Sequence, residues 1–220
     1  MPALFDFPPQ AKVGRVLPKS KIYQHGRVSV ALRERFVRQV EQITWQYKLA
    51  PETINLLARA GIEEIEIFDI ALKTDALDED ILRAIDRAIP LPVVFQLQHG
   101  QRTRMVAAYK RPSAAEAGKW VIDGYFAGEW QPAAAERRAL PMALDLHSLY
   151  EQLLRSLLPK AARPGESLPE QVERLARLRS RQNEYSKMEA RLHKERQFNR
   201  KVALNAQLRD LKTEIEQLSA

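Results

Sequence analysis

What most limits this chain is an absence: after Glu170 it holds neither proline nor glycine, and Glu, Lys, Arg, Gln and Leu dominate. All five are good helix formers, so this stretch must be one helix or a helical hairpin. Just upstream, LPKAARPGESLPE gathers three prolines and a glycine and forms the clearest boundary in the sequence. The expected organisation is a basic helical, coiled-coil-like segment at 170–220, a Pro/Gly linker at 159–169, an α+β domain at 29–158 and an irregular basic arm at 1–28.

The domain assignment rests on changes of hydrophobic period. Leu32, Phe36, Val40, Ile43 and Tyr47 recur at three and four residues behind a Ser29 cap, which predicts an amphipathic helix over about 30–48. The arm before it, with Pro8, Pro9 and Pro18, shows no sustained period and at most a short strand near Ile22 and Tyr23. APETINLL predicts a turn and short helix. IEEIEIFDIAL follows, a strand with one covered face and acids on the other. Leu77, Ile81, Leu82, Ile85 and Ala88 form a helical stripe closed by Pro90 and Pro92. LPVVFQLQ, a His99-Gly100-Gln101 turn and TRMVAAYK make a hairpin. KWVIDGYFAGEW adds a third strand with Trp120, Ile122 and Tyr125 inward and a bend or bulge at Gly124. A last helix at 141–158 aligns Met142, Leu146, Leu149, Leu153 and Leu157. The order αβαβββα predicts an α+β fold, a mostly antiparallel sheet with flanking helices.

The net charge of +7 is unevenly spread. Residues 1–48 carry nine Lys/Arg against three Asp/Glu, residues 177–201 again nine against three, and residues 49–176 fifteen against nineteen. Ends this basic suit a polyanion or an acidic protein face. The cationic residues of the helical segment are Arg177, Arg179, Arg181, Lys187, Arg191, Lys194, Arg196, Arg200 and Lys201, among the weak apolar stripe Tyr185, Met188, Leu192 and Phe198. Beyond them Leu204, Leu208, Leu211, Ile215 and Leu218 space 4-3-4-3, a seam for packing on another helix and a possible basis for oligomers.

No cysteine is present, which removes disulfides, thiolate metal sites and a thiol nucleophile together. Neither a leader-like h-region nor an apolar run of membrane-spanning length occurs, so the expectation is a cytoplasmic protein without membrane contact. No phosphate loop, dinucleotide fingerprint or metal-ligand motif appears, and no cofactor or metal is expected. His25, His99, His147 and His193 are isolated and read as surface or packing residues. The one enzymatic candidate is the acidic strand: Glu66, Asp69 and Lys73, with Glu64 nearby, resemble the acid and lysine set of Mg²⁺-dependent nucleases. Ala71 stands where the acid two residues before the lysine should be, so a solvated acidic strand face is the favoured reading. Asp75, Asp78, Glu79 and Asp80 suit a helix N-terminus. Trp45, Tyr47 and Lys48 offer stacking beside charge, yet Ile43 and Tyr47 already serve the helix stripe, so at least part of the run is core and the core reading is favoured.

ITWQYKLAPETIN, IEIFDIALK with AIDRAIPLPVVFQL, RMVAAYKR and FNRKVALNAQLRDLK together resemble the ordered motifs of an uncharacterised bacterial domain-of-unknown-function family. The resemblance runs from about Leu17 to Leu218, and its most specific part is FNRKVxLNxxLRxLK. It implies a setting beside DNA methyltransferases and superfamily-2 helicases in restriction-like or phage-defence operons, and it carries no catalytic residues. It also draws attention to Phe198, Asn199, Arg200, Lys201 and Asn205, since asparagine is a poor helix former and its amide suits a helix interface or a partner. The expected function is a non-enzymatic accessory subunit that binds a helicase or methyltransferase partner, and DNA through its basic helix.

Overall fold

The computed structural model describes residues 4–113 and 120–220 and divides into two compact units, Met1–Leu158 and Pro159–Ala220. The first unit opens with Phe5–Asp6 (β1), a 3-10 turn at Pro9–Ala11, Lys12–Val16 (β2) and Lys19–His25 (α1). Val30–Gln39 (α2), Val40–Leu49 (β3), Pro51–Ile54 (α3), Ile65–Leu72 (β4) and Glu79–Ala88 (α4) follow. Val93–His99 (β5), Arg102–Pro112 (β6), Trp120–Ala127 (β7), Gln131–Pro132 (β8), Arg138–Ala139 (β9) and Leu146–Leu157 (α5) complete it.

The fold is α+β. A seven-stranded sheet runs β2-β3-β4-β5-β6-β7, with β8 also paired to β6, and β1 pairs with β9 separately. Within the large sheet β4 and β5 are parallel, joined by the crossover helix α4, and the other pairings are antiparallel. Phe68, Ile70, Leu72, Phe95, Leu97 and Val106 face α1, α2 and α4, and with Ile22, Phe36, Ile81 and Ile85 they make one buried core. Fully burying side chains of this size stabilises by roughly 1.5–3 kcal/mol each. Alternation sends Ile65, Ile67, Val94, Met105 and Ala107 to the other face, where they are equally buried. On that side Phe7 stacks on Tyr47 with ring centroids 5.0 Å apart. The α5 helix lies against β6 and β7, and its Tyr150 hydroxyl donates to the Ala108 carbonyl at 2.6 Å.

Several elements depart from the sequence expectation. The helix expected over 30–48 ends at Gln39, and Val40–Leu49 is a strand. Its register shifts between Val40 and Gln42 and again between Trp45 and Tyr47. Such irregularities reset the two-residue alternation, so inward residues fall three or four apart and imitate a helix. The arm is not irregular: its described residues form β1, β2 and α1, and Leu4, Phe5, Phe7 and Ala11 are buried. Ile22 and Tyr23 lie in a helix, not a strand. Gly26 ends α1 where an added Cβ would stand 2.5 Å from the Ala84 carbonyl oxygen, so glycine permits the close approach of α1 to α4. At the other end, α5 begins only at Leu146, because the Asp145 carboxylate accepts from the Ser148 N–H at 2.7 Å and caps it. Met142, expected on the packed face, precedes the helix and is 97% exposed.

The hairpin, the helix stripe of α4 and the cap at Ser29 match expectation, and of the acids expected near a helix N-terminus Asp78 caps α4 while Glu79 and Asp80 lie in its first turn. Lys119, the first residue expected in the third strand, lies outside the described residues, as do Met1, Pro2 and Ala3 of the arm. Near Gly124 the β6·β7 register shifts between Ala108 and Lys110, in line with the expected bulge. Here the first unit buries an ion pair: Lys110 Nζ lies 2.6 Å from Asp86 Oδ1 with both side chains essentially inaccessible. The Tyr125 hydroxyl donates to the other Asp86 oxygen, and Lys110 also donates to the Leu91 carbonyl at 2.6 Å. Burial pushes the Asp86 carboxyl up and the Lys110 amine down, and their mutual attraction opposes both shifts.

The second unit contains Leu168–Lys194 (α6) and Phe198–Ser219 (α7). The Ser167 and Glu170 side chains form a capping box at the start of α6. Among the described residues no helix is long and apolar enough to cross a membrane.

Candidate nucleic-acid interface

The helical segment is a hairpin, and its two ends differ chemically. At the base, Arg174 is buried and makes a paired contact with Glu166, Nε to Oε1 at 2.6 Å and Nη2 to Oε2 at 2.9 Å. It also donates to the Leu218 carbonyl at 2.9 Å and the Ala161 carbonyl at 3.0 Å, which ties both helices to the segment before them. This guanidinium holds the Glu166 carboxyl down to about 2. Leu168, Val172, Leu175 and Leu178 of α6 are buried, as are Leu208 and Leu211 of α7, while Leu204, Ile215 and Leu218 are half-buried. The leucine seam therefore serves packing within the chain, as α6 and α7 lie against each other along it.

Farther along, Arg181 joins the helices by meeting Glu184 and Glu214, each at 2.8 Å. Beyond Arg181 the apolar contact thins. Tyr185, Met188 and Leu192 are half-buried, and Val202 is 51% exposed. Phe198 belongs to the first turn of α7 and not to the α6 stripe, and it is 77% exposed. The turn uses no glycine or proline. Instead the Glu195 carboxylate holds the turn, accepting from the N–H groups of Arg196 at 2.8 Å and Gln197 at 2.9 Å, the two residues before α7.

The cations concentrate toward this end. Arg177 pairs with Glu173 at 2.5 Å, and Arg200 approaches Glu195 at 3.9 Å, both on exposed surface where such pairs contribute little. Arg179, Lys187, Arg191, Lys194, Arg196 and Lys201 are exposed and have no ion-pair partner among the described residues. Asn199 and Asn205 are exposed too, and neither makes a hydrogen bond across the helix interface among the described residues. Asn205 lines a shallow recess with Tyr185, Leu192 and Val202. Exposed cations can hold phosphates, and a bare phenylalanine can let one planar group stack.

The acidic strand gathers no comparable site. Glu66 is 4% exposed and points to the helix-covered face, where the Trp45 indole N–H donates to it. Burial pushes its carboxyl up to about 7, against the pull of that donor. Asp69 points to the opposite face, accepting from Gln96 Nε2 at 2.8 Å and Gln98 Nε2 at 3.3 Å. Its carboxyl is raised by burial and opposed by the Gln96 donor. The Lys73 ammonium turns away to the Val37 carbonyl at 2.8 Å. The nuclease trio is therefore dispersed, and the solvated acidic face expected for this strand is instead largely buried. Among the described residues no group of three or more His, Asp or Glu side chains could hold a metal ion. Lys48 is engaged by Glu64 at 2.7 Å and Glu52 at 3.0 Å, and Tyr47 by Phe7, so the run around Trp45 is packed and paired.

Two features escaped the sequence. Met142, Leu144, Ile54, Leu56 and Pro8 line an apolar groove of about 840 Å³, created because the capping box delays α5. Gln96, a polar residue in the middle of the buried strand β5, receives Arg137 Nη1 at 2.7 Å and passes a hydrogen bond to Asp69. The capping box DLHS was legible as a motif, whereas the Arg137 contact spans 41 residues and had no local signal.

No curated protein matches this chain, and no solved structure does. A family model described as a domain of unknown function, DUF4391, matches residues 5–215, which takes in the sheet and nearly all of the helical hairpin, and the chain belongs to that family.

Proposed function

We propose that the protein is a non-enzymatic, cytoplasmic accessory subunit of a bacterial DNA-modification or phage-defence complex. In this reading the α+β unit docks on a helicase or DNA methyltransferase partner, and the far end of the hairpin meets DNA. The observation that carries it is the charge of the hairpin beyond Arg181: Lys187, Arg191, Lys194, Arg196 and Lys201 are exposed without carboxylate partners among the described residues, and Phe198 beside the turn is exposed too. A hairpin that needed charge only for solubility would gain as much from mixed signs. The resemblance of the motifs to a family encoded beside DNA-modifying enzymes supports the choice of partner.

The test is a pull-down of the tagged full chain from its native host at low and high salt, with and without added nuclease. Retention of a helicase or methyltransferase at high salt after nuclease is the expected result, together with nucleic acid that is released as salt rises. Recovery of neither, with negligible DNA affinity of the purified protein at low salt, overturns the reading.

A further inference from the structure

A second cationic surface lies in the first unit, at the closed end of the β5–β6 hairpin. The register pairs His99 with Arg102 and Leu97 with Arg104, so all four side chains share one face. On β6, Arg102 and Thr103 pair with Pro132 and Gln131 of β8, which brings Trp130 alongside Arg104. The guanidinium of Arg104 lies 4.6 Å from the Trp130 ring centroid and that of Arg102 lies 5.5 Å from it. Trp130 is itself packed against the main core, so the platform is fixed before any ligand arrives.

Neither guanidinium has a carboxylate partner among the described residues, and the nearest acid acting on Arg104 is Glu129. Arg104 Nε and His99 Nδ1 are both buried without a hydrogen-bond partner. A buried donor left unpaired costs about 1–3 kcal/mol. A guanidinium stacked on an aromatic face has its donor edge set in plane and free to meet an oxyanion, the arrangement in which arginine recognises phosphate.

We propose that His99, Arg102, Arg104 and Trp130 form a binding site for the phosphodiester backbone of a nucleic-acid strand. It lies within the first unit. The proposal rests on the nucleic-acid reading of the hairpin in one respect: it takes the same class of ligand. An acidic peptide is the competing occupant, and it lacks a backbone charge at every unit.

The experiment measures binding of a fluorescein-labelled single-stranded oligothymidylate of about 20 nucleotides to the full-length protein by anisotropy across a salt series. Removing two phosphate contacts on a single strand is expected to reduce the steepness of log affinity against log salt by about 1.4. The double variant Arg102→Ala/Arg104→Gln should show that loss, with affinity at low salt down at least tenfold. Arg102 is exposed, so Arg102→Ala alone leaves the fold intact and should lower the slope by about 0.7. Arg104→Lys, which keeps charge and loses the stacked fork, should fall between wild type and the double variant.

The hairpin variant Lys194→Ala/Arg196→Ala/Lys201→Ala is measured in parallel. If it weakens binding while the Arg102 and Arg104 variants do not, this site is overturned and the hairpin reading stands. The converse result leaves this site standing and overturns the hairpin reading. Absence of binding by wild type at low salt overturns both. Displacement of the oligonucleotide by polyglutamate, at equal charge and equal affinity, overturns the assignment to nucleic acid.

Discussion

The two units treat charge in opposite ways. In the interior of the α+β unit the charges are out of water and answered: Asp86 by Lys110 and Tyr125, and Glu66 by the Trp45 indole. In the hairpin only the base follows that pattern, through Arg174 and Glu166, and the far end leaves its cations in solvent. Buried charge must be matched because desolvation is large, so it fixes structure. Solvated charge costs little in stability and remains available for a partner. The same residue types therefore hold the interior of the first unit together and, where they stay unpaired at the Trp130 platform and at the far end of the hairpin, are left to bind.

The contrast can be broken most directly at the buried pair. Lys110→Met leaves Asp86 uncompensated and should destabilise the first unit by about 3–5 kcal/mol. Trp45, Trp120 and Trp130 all precede the linker, so tryptophan emission during denaturant unfolding reports that unit alone. A shift of less than about 1 kcal/mol would mean that the pair is not structural. Next in size is Glu66. Its folded value near 7 lies above its ordinary value of 4.5, so its contribution is fully present below pH 4.5 and is lost as pH rises toward and through 7. The loss amounts to about 3 kcal/mol. Glu66→Gln should remove this fall, which a comparison of the two denaturation midpoints from pH 4 to pH 8 would reveal.

Gly26→Ala should cost about 1–3 kcal/mol, because the added methyl meets backbone oxygens of Ala84 and Ile22 that cannot move aside cheaply. Thermal unfolding followed by tryptophan emission checks it. The smallest effect on stability should come from the hairpin. Lys194→Glu/Arg196→Glu should change helical melting, followed by circular dichroism, by no more than about 0.5 kcal/mol. Loss of more than about 1 kcal/mol would assign these cations a structural task and erase the distinction between the units.

The sequence showed most of what depends on local pattern. The break after Leu158, the α4 stripe, the β5–β6 hairpin and the cap at Ser29 are stated by a few adjacent residues each. Where local pattern misled, a physical cause can be named. Strand β3 carries register shifts that turn its alternation into a helical period, although VEQITWQYKL is rich in β-branched and aromatic residues. Strand β2 exposes every side chain, so it has no alternation to read, and α1 buries only Ile22. The turn at Glu195–Gln197 is made by a carboxylate instead of a glycine and left the hairpin indistinguishable from a single helix. Of the candidate residues, the basic run was legible as composition, but which cations stay unpaired depends on contacts such as Arg181 with Glu214, which only the folded hairpin supplies. The Trp130 platform joins β5, β6 and the segment before β8 and had no linear signature at all.

The Asp86 contact also sets an order of events during synthesis. Asp86 sits on the crossover helix, while Lys110 and Tyr125 arrive later on β6 and β7, and Tyr125 is 39 residues away along the chain. A nascent chain that has emerged only as far as β5 can form the β4-α4-β5 crossover, yet its helix carries an acid with nothing to neutralise it. A chain that ends before β6 should therefore seat α4 only loosely, and extension through Tyr125 should be what fixes it.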